Sequence, residues 1–479
     1  MENHNRGQWG SNFGFLMATV GAAVGLGNIW AFPYKMGANG GFAFLVVYLI
    51  MGATVGFTIM LSELAIGRKV GRNVLISYRT VAGKPGAFIG WLAIISPFLI
   101  LSFYTVLGAY CMEYMSLNLA DLAFSVGRLA GMNGTQTFTS MLDSQFGTVV
   151  FTLIYILLCY FIVRGGIKNG IERFNKIGMP ALFFMLLIVI VRSVTLPGAS
   201  AGLKFMFTPN FEPFKSIGGF LDVLSAAGGQ IFFSLSLAMG ITVTYGSYLS
   251  KKENLVKNSI LIIVSDTIVA ILAGIAVLPA AFALGGEGAQ LAGPKLLFIT
   301  LQDVFNAMGT AGALFGVIFY LLVVLAAITS TIALLEVLVT FLSDNAVEKG
   351  KVPDRHKIGN IVGIVVAIEA TIVALDGLGS HGLFGWIPFN FTGRPFGASW
   401  LDFMDFLSEG IAMPLGAMIM SILVGWFTKP KLIYDEVTQE GQKFGKGIYA
   451  FFSFCIKFVA PAVMAFILYG MVRSFWVIS

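Results

Sequence analysis

Two glycine-rich stretches of this sequence carry backbone groups that can bind ions. Gly21, Gly25 and Gly27 stand within one apolar run, and a second cluster of small residues fills 226–240. Each interior glycine costs a helix roughly 1 kcal/mol relative to alanine, so both stretches are predicted to unwind. Unwound backbone offers N–H groups to anions and carbonyl groups to cations. The alternative is that these glycines only allow neighbouring helices to pack closely.

One acidic residue, Asp266, lies in the middle of the apolar run 256–285. An ionisable side chain inside so apolar a helix is a functional candidate, because burying its charge is costly. Cys111, Cys159 and Cys455 also lie in apolar runs, and we interpret them as small buried side chains. The sequence has no Gly-x-x-x-x-Gly-Lys-Ser/Thr loop, which argues against a pump driven by ATP.

The elements that must position these residues are membrane helices. The 479 residues are 57% hydrophobic and 11% charged, whereas soluble domains are about 25% charged, and the mean hydropathy is +0.86. This composition excludes a soluble, disordered or disulfide-stapled protein, and the lack of short alternating strands argues against a barrel. Eleven apolar runs can be marked, most of them long enough to cross a bilayer as helices. They are 10–34, 41–67, 86–120, 148–163, 172–195, 218–248, 256–285, 311–343, 358–375, 401–427 and 447–475.

Lysine and arginine are distributed unevenly over the predicted connections. The side that holds the N-terminus carries 21 of the 30 basic residues, and the opposite side carries eight. We therefore predict a multi-pass protein of the inner (plasma) membrane, with a cytoplasmic N-terminus and an extracellular C-terminus. The longer connections, which are typical of lids or vestibules, all fall on the outside. They are 121–147, 196–217, 286–310 and 376–400.

The two glycine-rich stretches occupy equivalent places, in the first of spans 1–5 and in the first of spans 6–10. This correspondence predicts an inverted repeat of five plus five helices around a binding site near the middle of the membrane. We expect an all-α membrane protein of eleven transmembrane helices, in which helices 1 and 6 are unwound. Its predicted parts are a first repeat, an extracellular connection, a second repeat, and a cytoplasmic loop with helix 11. Their bounds are 1–195, 196–217, 218–427 and 428–479.

Six motifs along the chain carry a resemblance to a known family. They are Val-Gly-Leu-Gly-Asn-Ile-Trp-Ala-Phe-Pro-Tyr at 24–34, Asn-Gly-Gly-Phe at 39–42, Glu-Leu-Ala-Ile-Gly at 63–67, Phe-Tyr at 103–104, Gln-Ile-Phe-Phe-Ser-Leu-Ser at 230–236 and Thr-Ser at 329–330. They resemble the neurotransmitter:sodium symporter family, and its bacterial amino-acid branch in particular. The resemblance implies sodium-coupled symport by alternating access, with no bond made or broken, so we expect no enzyme.

The resemblance implies two sodium sites at the unwound helices. The first site would be formed by the substrate carboxylate with Ala23, Asn28, Ser234 and Asp266. The second would be formed by the carbonyl groups of Gly21, Val24 and Ala326 and the hydroxyl groups of Thr329 and Ser330. Such oxygen ligands suit a small hard cation. The alternative for the two hydroxyl groups is a hydrogen bond to the preceding helical turn.

The resemblance also implies one substrate pocket. The substrate carboxylate would meet the N–H groups of Leu26 and Gly27 and the hydroxyl of Tyr104. The ammonium would meet the carbonyl groups of Ala23, Phe233 and Ser234. The side chain would lie among Ile100, Phe233, Ser236, Met239, Ser330 and Leu334. For Tyr104, Met239 and Leu334 the alternative is ordinary packing.

Three positions depart from the family pattern or select among its members. Asp266 stands where many members have asparagine, and its charge would replace the bound chloride of animal members, so we expect chloride-independent transport. The same carboxylate is a candidate for carrying a proton outward. Gly25 stands where carriers of monoamines have aspartate, which favours a substrate with its own carboxylate. Ala31 replaces a basic residue that usually pairs with the position of Asp405, so the usual outer ion pair is absent and Tyr104 and Phe233 remain as the lid.

On the cytoplasmic side the resemblance implies an intact gate. Arg6 would pair with Asp344, near Trp9, Tyr248 and Glu336. The alternative for Arg6 is a charged anchor at the membrane surface. Gly170 and Pro180 frame a spacing at which span 5 of related bacterial transporters unwinds, although a glycine and a proline are also common near helix starts.

The uncharged pocket predicts large hydrophobic or aromatic L-amino acids as substrates: Trp, Tyr, Phe, Leu, Ile and Met. A betaine or an omega-amino acid, carried by a symporter of the same family, is the first alternative. A sensor or channel that does not cycle is the second. The expected partners are the substrate, two sodium ions and the lipid bilayer, with no nucleic acid and no chloride. A homodimer is possible, and the sequence does not fix the oligomeric state.

Overall fold

The computed structural model describes residues 7–124, 132–285, 296–383 and 399–475, and within these ranges the chain forms helices and no strands. In the described ranges, ten helices are long and apolar enough to cross a membrane, and a bent pair of helices makes an eleventh span. Numbered in chain order, spans 1 to 11 are Asn12–Ala23 with Gly27–Ala38, Phe42–Val70, Val74–Phe124, Gln145–Arg164, Ile167–Val194, Ile217–Ser234, Leu255–Ala283, Ala311–Glu348, Arg355–Gly379, Trp400–Phe427 and Lys446–Gly470. The predicted eleven spans are confirmed. The face at which residue 7 lies is called the inner face below, and the opposite face the outer face.

Shorter helices lie in the connections between spans. On the outer face they are Gly134–Asp143, Ala199–Phe207 and Leu296–Ala307. On the inner face Lys431–Val437 joins spans 10 and 11. Span 3 is longer than its apolar run, because it includes an inner segment before a kink at Ala82 and Gly83, where Gly83 has φ +62°.

The spans differ in how much of their apolar surface other helices cover. In spans 2, 3 and 8, 61–72% of an apolar stretch of 18 residues is buried by the rest of the protein, whereas in spans 4, 5, 9 and 11 only 28–33% of such a stretch is buried. Helices satisfy all their backbone hydrogen bonds internally, so apolar faces that no other helix covers can meet lipid. Spans 2, 3 and 8 therefore belong to the core that holds the site, and spans 4, 5, 9 and 11 lie at the rim.

Spans 1 and 6 are each interrupted near their middle. In span 1 the helix ends at Ala23, and after a bend of 48° the outer half begins with a π-helical turn at Gly27–Ala31. Span 6 ends its first helix at Ser234 and resumes at Ile241–Gly246. Ser236, Ala238 and Gly240 between them have positive φ angles of 53°, 60° and 76°. The prediction that helices 1 and 6 are unwound is confirmed.

Candidate functional site

The two broken spans are joined to each other by side chains. The amide of Gln230 donates to the carbonyl of Gly27 at 2.7 Å, and the hydroxyl of Ser236 donates to the carbonyl of Ala22 at 2.9 Å. A carbonyl group released by unwinding needs a new partner when it is buried. These contacts hold the two breaks side by side, with freed backbone groups facing a common space.

Two of the residues expected at the first sodium site, Asn28 and Ser234, contact the carboxylate of a third, Asp266, which is fully buried. Asn28 donates its amide to this carboxylate at 2.8 Å, and the hydroxyl of Ser234 lies 3.0 Å from both of its oxygens. The hydroxyl of Tyr48 donates to it at 3.2 Å. Four spans thus meet at one negative charge. Sequence reasoning missed Tyr48, whose only signal was a hydroxyl group in the apolar run of span 2.

Two of the residues expected at the second sodium site, Thr329 and Ser330, connect span 8 to span 1. Ser330 donates to the carbonyl of Ala22 at 3.1 Å, and Thr329 lies 3.5 Å from the carbonyl of Val24. Both hydroxyl groups also donate to the preceding turn at Ala326, so the alternative bonding mode is present as well. Among the described residues there is no cluster of three His, Cys, Asp or Glu side chains for a metal ion. The oxygens of this site fit a hard cation of low charge.

The pocket between the breaks contains most of the residues expected to hold the substrate. It is lined by Ala22, Ala23, Gly25, Gly27, Ile100, Tyr104, Phe233, Ser236, Met239, Ile241, Ser330 and Leu334. Leu26 is not on this lining but presents its N–H group to the Tyr104 hydroxyl at 2.9 Å, and Ser234 faces Asp266 instead. Ala22 and Ile241 were missed, because no polar group marks them in the sequence. No charged side chain is among the lining residues.

The two aromatic residues expected to form the outer lid both line this pocket. The rings of Tyr104 and Phe233 lie 6.4 Å apart between centroids. A Cβ atom at Gly25 would lie 2.3 Å from the Ser330 hydroxyl and 2.4 Å from that of Tyr104. A Cβ atom at Gly27 would lie 2.8 Å from the Phe233 ring. The two glycines therefore allow the lid and the hydroxyl groups to close against the backbone of span 1.

A buried carboxylate in span 2 holds the unwound segment of span 6. Glu63 accepts hydrogen bonds from the N–H of Ala238 and the hydroxyl of Tyr78, each at 3.1 Å, and from the hydroxyl of Thr242. Ala238 has a positive φ angle, which is strained for a residue other than glycine. The hydrogen bonds of Glu63 stabilise this conformation on the wall of the pocket.

The inner side of the pocket is closed by another set of contacts. The indole of Trp9 donates to the carbonyl of Tyr245 at 3.1 Å, and the hydroxyl of Tyr248 donates to Glu336 at 2.9 Å. Glu336 also forms an ion pair with Arg355 at 2.5 Å. Sequence reasoning missed Arg355. The signal for Arg355 was its place at the inner start of span 9.

Arg6, one partner of the predicted Arg6–Asp344 pair, lies outside the described residues. Asp344 is buried and accepts a hydrogen bond from the backbone N–H of Asn73 at 2.5 Å. Span 5 begins with a π-helical turn at Ile167–Glu172, which contains Gly170, and its helix continues through Pro180. Unwinding at this spacing stays a prediction.

A carboxylate of span 5 caps the inner end of span 1. Glu172 is buried and accepts hydrogen bonds from the N–H of Gly10 at 2.6 Å and the hydroxyl of Ser11 at 3.1 Å. Lys176, one turn later, pairs with it at 2.6 Å. Gly14 allows this contact, because a Cβ atom there would lie 2.1 Å from the carboxylate. A negative charge at a helix N-terminus is favourable, so this contact stabilises the closed inner side.

On the outer face, Ala31 is buried and has no side chain that could pair with an acid. One turn farther along span 1, Lys35 forms an ion pair with Glu409 of span 10 at 2.8 Å. The side chains of Lys35 and Glu409 are only 14% and 10% exposed. Sequence reasoning missed this pair, although Lys35 and Glu409 each follow the expected positions, 31 and 405, by four residues.

Comparisons with known proteins agree with this architecture. The model of the sodium:neurotransmitter symporter family matches residues 6–128 and 132–477. An uncharacterised sodium-dependent transporter of Bacillus subtilis is 30% identical over 469 residues, covering 97% of both chains. One of Haemophilus influenzae is 31% identical over 475 residues, covering 96% of this chain and 97% of the relative.

The solved structures add a match over nearly the whole fold. The crystal structure of MhsT in complex with L-phenylalanine superposes with a TM-score of 0.83 at 32% identity, covering 97% of this chain and all of MhsT. The chain belongs to the sodium:neurotransmitter symporter family, whose members couple transport across a membrane to sodium and are not enzymes.

Proposed function

We propose that this protein is a sodium-coupled symporter of hydrophobic and aromatic L-amino acids. The observation that carries the proposal is the pocket between the two breaks. At its backbone end the N–H of Leu26 donates to the hydroxyl of Tyr104 at 2.9 Å, and a substrate carboxylate would replace this bond and accept from both groups. The opposite end is formed by apolar side chains. An amino acid matches this division, because it joins a carboxylate to a side chain of its own.

The polarity of the pocket lining favours apolar side chains. Ile100, Met239, Ile241 and Leu334 line it, and no charged residue does. Methionine has three rotatable bonds and adapts to ligands of different shape. Tryptophan, tyrosine, phenylalanine, leucine, isoleucine and methionine are therefore the proposed substrates. The MhsT relative was crystallised with L-phenylalanine, which supports this class.

Two sodium ions are proposed to bind with the substrate, and Asp266 is proposed to balance their charge. Two sodium ions and a zwitterion sum to +2, and one buried carboxylate lowers this sum to +1. Two unit charges 4 Å apart interact by about 4 kcal/mol at an effective dielectric constant of 20. Asp266 already collects donors from Asn28, Ser234 and Tyr48, and in the bound state sodium would replace part of them. Transport would then need no chloride.

The proposed cycle uses the closures on the two faces in turn. The outer lid of Tyr104 and Phe233 would open to admit sodium and substrate, and the inner contacts of Trp9, Tyr248 and Glu172 would open to release them. With the N-terminus in the cytoplasm, the outer face is extracellular and the membrane is the plasma membrane. Each sodium ion that moves inward across about 100 mV then contributes about 2.3 kcal/mol. When sodium has left, Asp266 is proposed to return outward with a proton.

The experiment that tests this function is equilibrium binding of labelled tryptophan and leucine to the purified protein. Buffers contain sodium or potassium, each as the chloride or the gluconate salt. Sodium-dependent, chloride-independent binding in the micromolar range is expected. No binding of either labelled amino acid, together with sodium-dependent binding of a labelled betaine or omega-amino acid, would instead support the alternative carboxylate substrates. Binding without uptake against a gradient into proteoliposomes would identify a protein that does not cycle.

The role of Asp266 is tested by Asp266→Asn, which keeps the shape of the side chain and removes its charge. Tryptophan binding in gluconate is expected to weaken at least tenfold and to recover when chloride is added. Asp222→Asn, at an exposed carboxylate near the outer end of span 6, is the matched control. Equal, chloride-independent affinity of Asp266→Asn and the native protein would refute charge replacement by Asp266.

A further inference from the structure

The Lys35–Glu409 ion pair joins the outer half of span 1 to span 10. Lys35 lies in Phe32–Ala38, the segment beyond the break, and Glu409 lies in the π-helical turn Phe406–Ala412. The two charged groups are 2.8 Å apart although 374 residues separate them in sequence. Because both side chains are largely buried, water screens this pair much less than an exposed one.

Span 6 also lies close to this ion pair. A Cβ atom at Gly229, in the outer half of span 6, would lie 3.5 Å from the Glu409 carboxylate. The carboxylate of Asp405, one turn before Glu409, adds to the attraction on the Lys35 ammonium. Spans 1, 6 and 10 therefore approach one another at this point, above the ring lid of Tyr104 and Phe233.

The position of the pair explains how the outer face closes without a basic side chain at Ala31. A shift of four residues along a helix keeps a side chain on nearly the same face and moves it about 6 Å along the axis. Lys35 is shifted outward in this way from Ala31, and Glu409 inward from Asp405, because spans 1 and 10 run in opposite directions. Relative to positions 31 and 405, both partners lie one helical turn farther along the chain. The contact between spans 1 and 10 is therefore present, but through these two side chains.

We propose that Lys35 and Glu409 form the latch that holds the outer face closed during the transport cycle. The inference rests on the alternating access proposed above. When the outer halves of spans 1 and 6 move away from span 10, the pair separates and both charges become hydrated. Removing the charge of one partner leaves the other buried charge without its counter-ion, which disfavours the closed state. Loss of the pair shifts the protein toward the form that is open on the outer face.

The latch is tested with a cysteine reporter placed between the pair and the pocket. Ala31→Cys is buried in the closed form, and its rate of modification by a membrane-impermeant thiol reagent reports opening of the outer face. The three native cysteines are buried. In this background Glu409→Gln is expected to raise the modification rate at least tenfold, in sodium and in potassium. The charge exchange Lys35→Glu with Glu409→Lys is expected to slow the reaction again, but incompletely, because Asp405 repels the carboxylate introduced at position 35.

The control is Glu212→Gln, which breaks the exposed Glu212–Lys215 pair on the same face and is expected to change nothing. The melting temperature of each variant, measured in detergent, separates opening from unfolding. Equal rates for Glu409→Gln and the native pair would overturn the latch, and so would a charge exchange that is as fast as Glu409→Gln alone. The proposed substrate is judged separately, because tryptophan should slow modification of the reporter even if the latch is wrong.

Discussion

Substitution of Gly25 by alanine probes whether spans 1, 3 and 8 must close around the pocket as the structure shows. A Cβ atom at Gly25 would approach the hydroxyl groups of Ser330 and Tyr104 to 2.3 and 2.4 Å, well below the 3.0 Å that real Cβ contacts keep. The backbone angles of Gly25 are open to any residue, so the effect is steric. Overpacking of this kind costs about 1–3 kcal/mol, which corresponds to a loss of about 5–150-fold in affinity.

The assay is sodium-dependent binding of labelled tryptophan to purified Gly25→Ala, with the melting temperature measured in parallel. We expect weaker binding with a melting temperature close to that of the native protein, because the clash arises where the pocket closes. Gly25→Val should bind more weakly still. Gly218→Ala is the matched control, since a Cβ atom at this exposed glycine would touch nothing within 4 Å.

The reasoning fails if Gly25→Ala binds tryptophan with native affinity. That result would mean that Ser330 and Tyr104 do not approach the backbone of span 1 when substrate is bound. A similar loss in Gly218→Ala would point to a general effect of helix stiffening and would refute the steric explanation.

Two further predictions concern the second sodium site and the inner closure. Thr329→Val removes a hydroxyl group beside the carbonyl of Val24. In sodium titrations of tryptophan binding, this variant should bind sodium about 10–150-fold more weakly. The reason is that a hydrogen bond to a charged group is worth about 1.5–3 kcal/mol. The exposed Thr139→Val is its control, and an unchanged sodium midpoint would remove Thr329 from the site. Glu172→Ala leaves the N–H of Gly10 and the hydroxyl of Ser11 without their acceptor, and we expect amide hydrogen exchange at residues 10–14 to become at least tenfold faster. Glu348→Ala, at an exposed inner ion pair, is the comparison, and equal protection in both variants would contradict a capping role for Glu172.

Much of the fold follows from patterns that lie close together in the sequence. Apolar runs predict the spans, because a helix that crosses lipid needs about 20 predominantly apolar residues. Gly21, Gly25 and Gly27 predict the break in span 1, since glycine weakens a helix locally. The inner segment of span 3 before Gly83 was missed, because it carries too many polar residues to resemble a membrane run.

Parts of the candidate site depend on contacts that no local pattern encodes. Asp266 was identified from its charge, whereas Tyr48 became part of its surroundings only when spans 2 and 7 were placed side by side. Ile241 enters the pocket because span 6 resumes its helix there after three residues with positive φ angles. Apolar residues of this kind have no signal of their own, since most apolar residues in such a chain serve packing.

The sequence by itself predicted eleven membrane-spanning helices, which the described residues contain, and the interruption of the first and sixth of them. Only the tertiary structure decided which charges meet. Ala31 predicted a missing ion pair on the outer face, and the packed helices supply one through Lys35 and Glu409, one turn farther along each helix. The physical reason is that the strength of an ion pair depends on distance and burial, and both arise when segments far apart in sequence pack together.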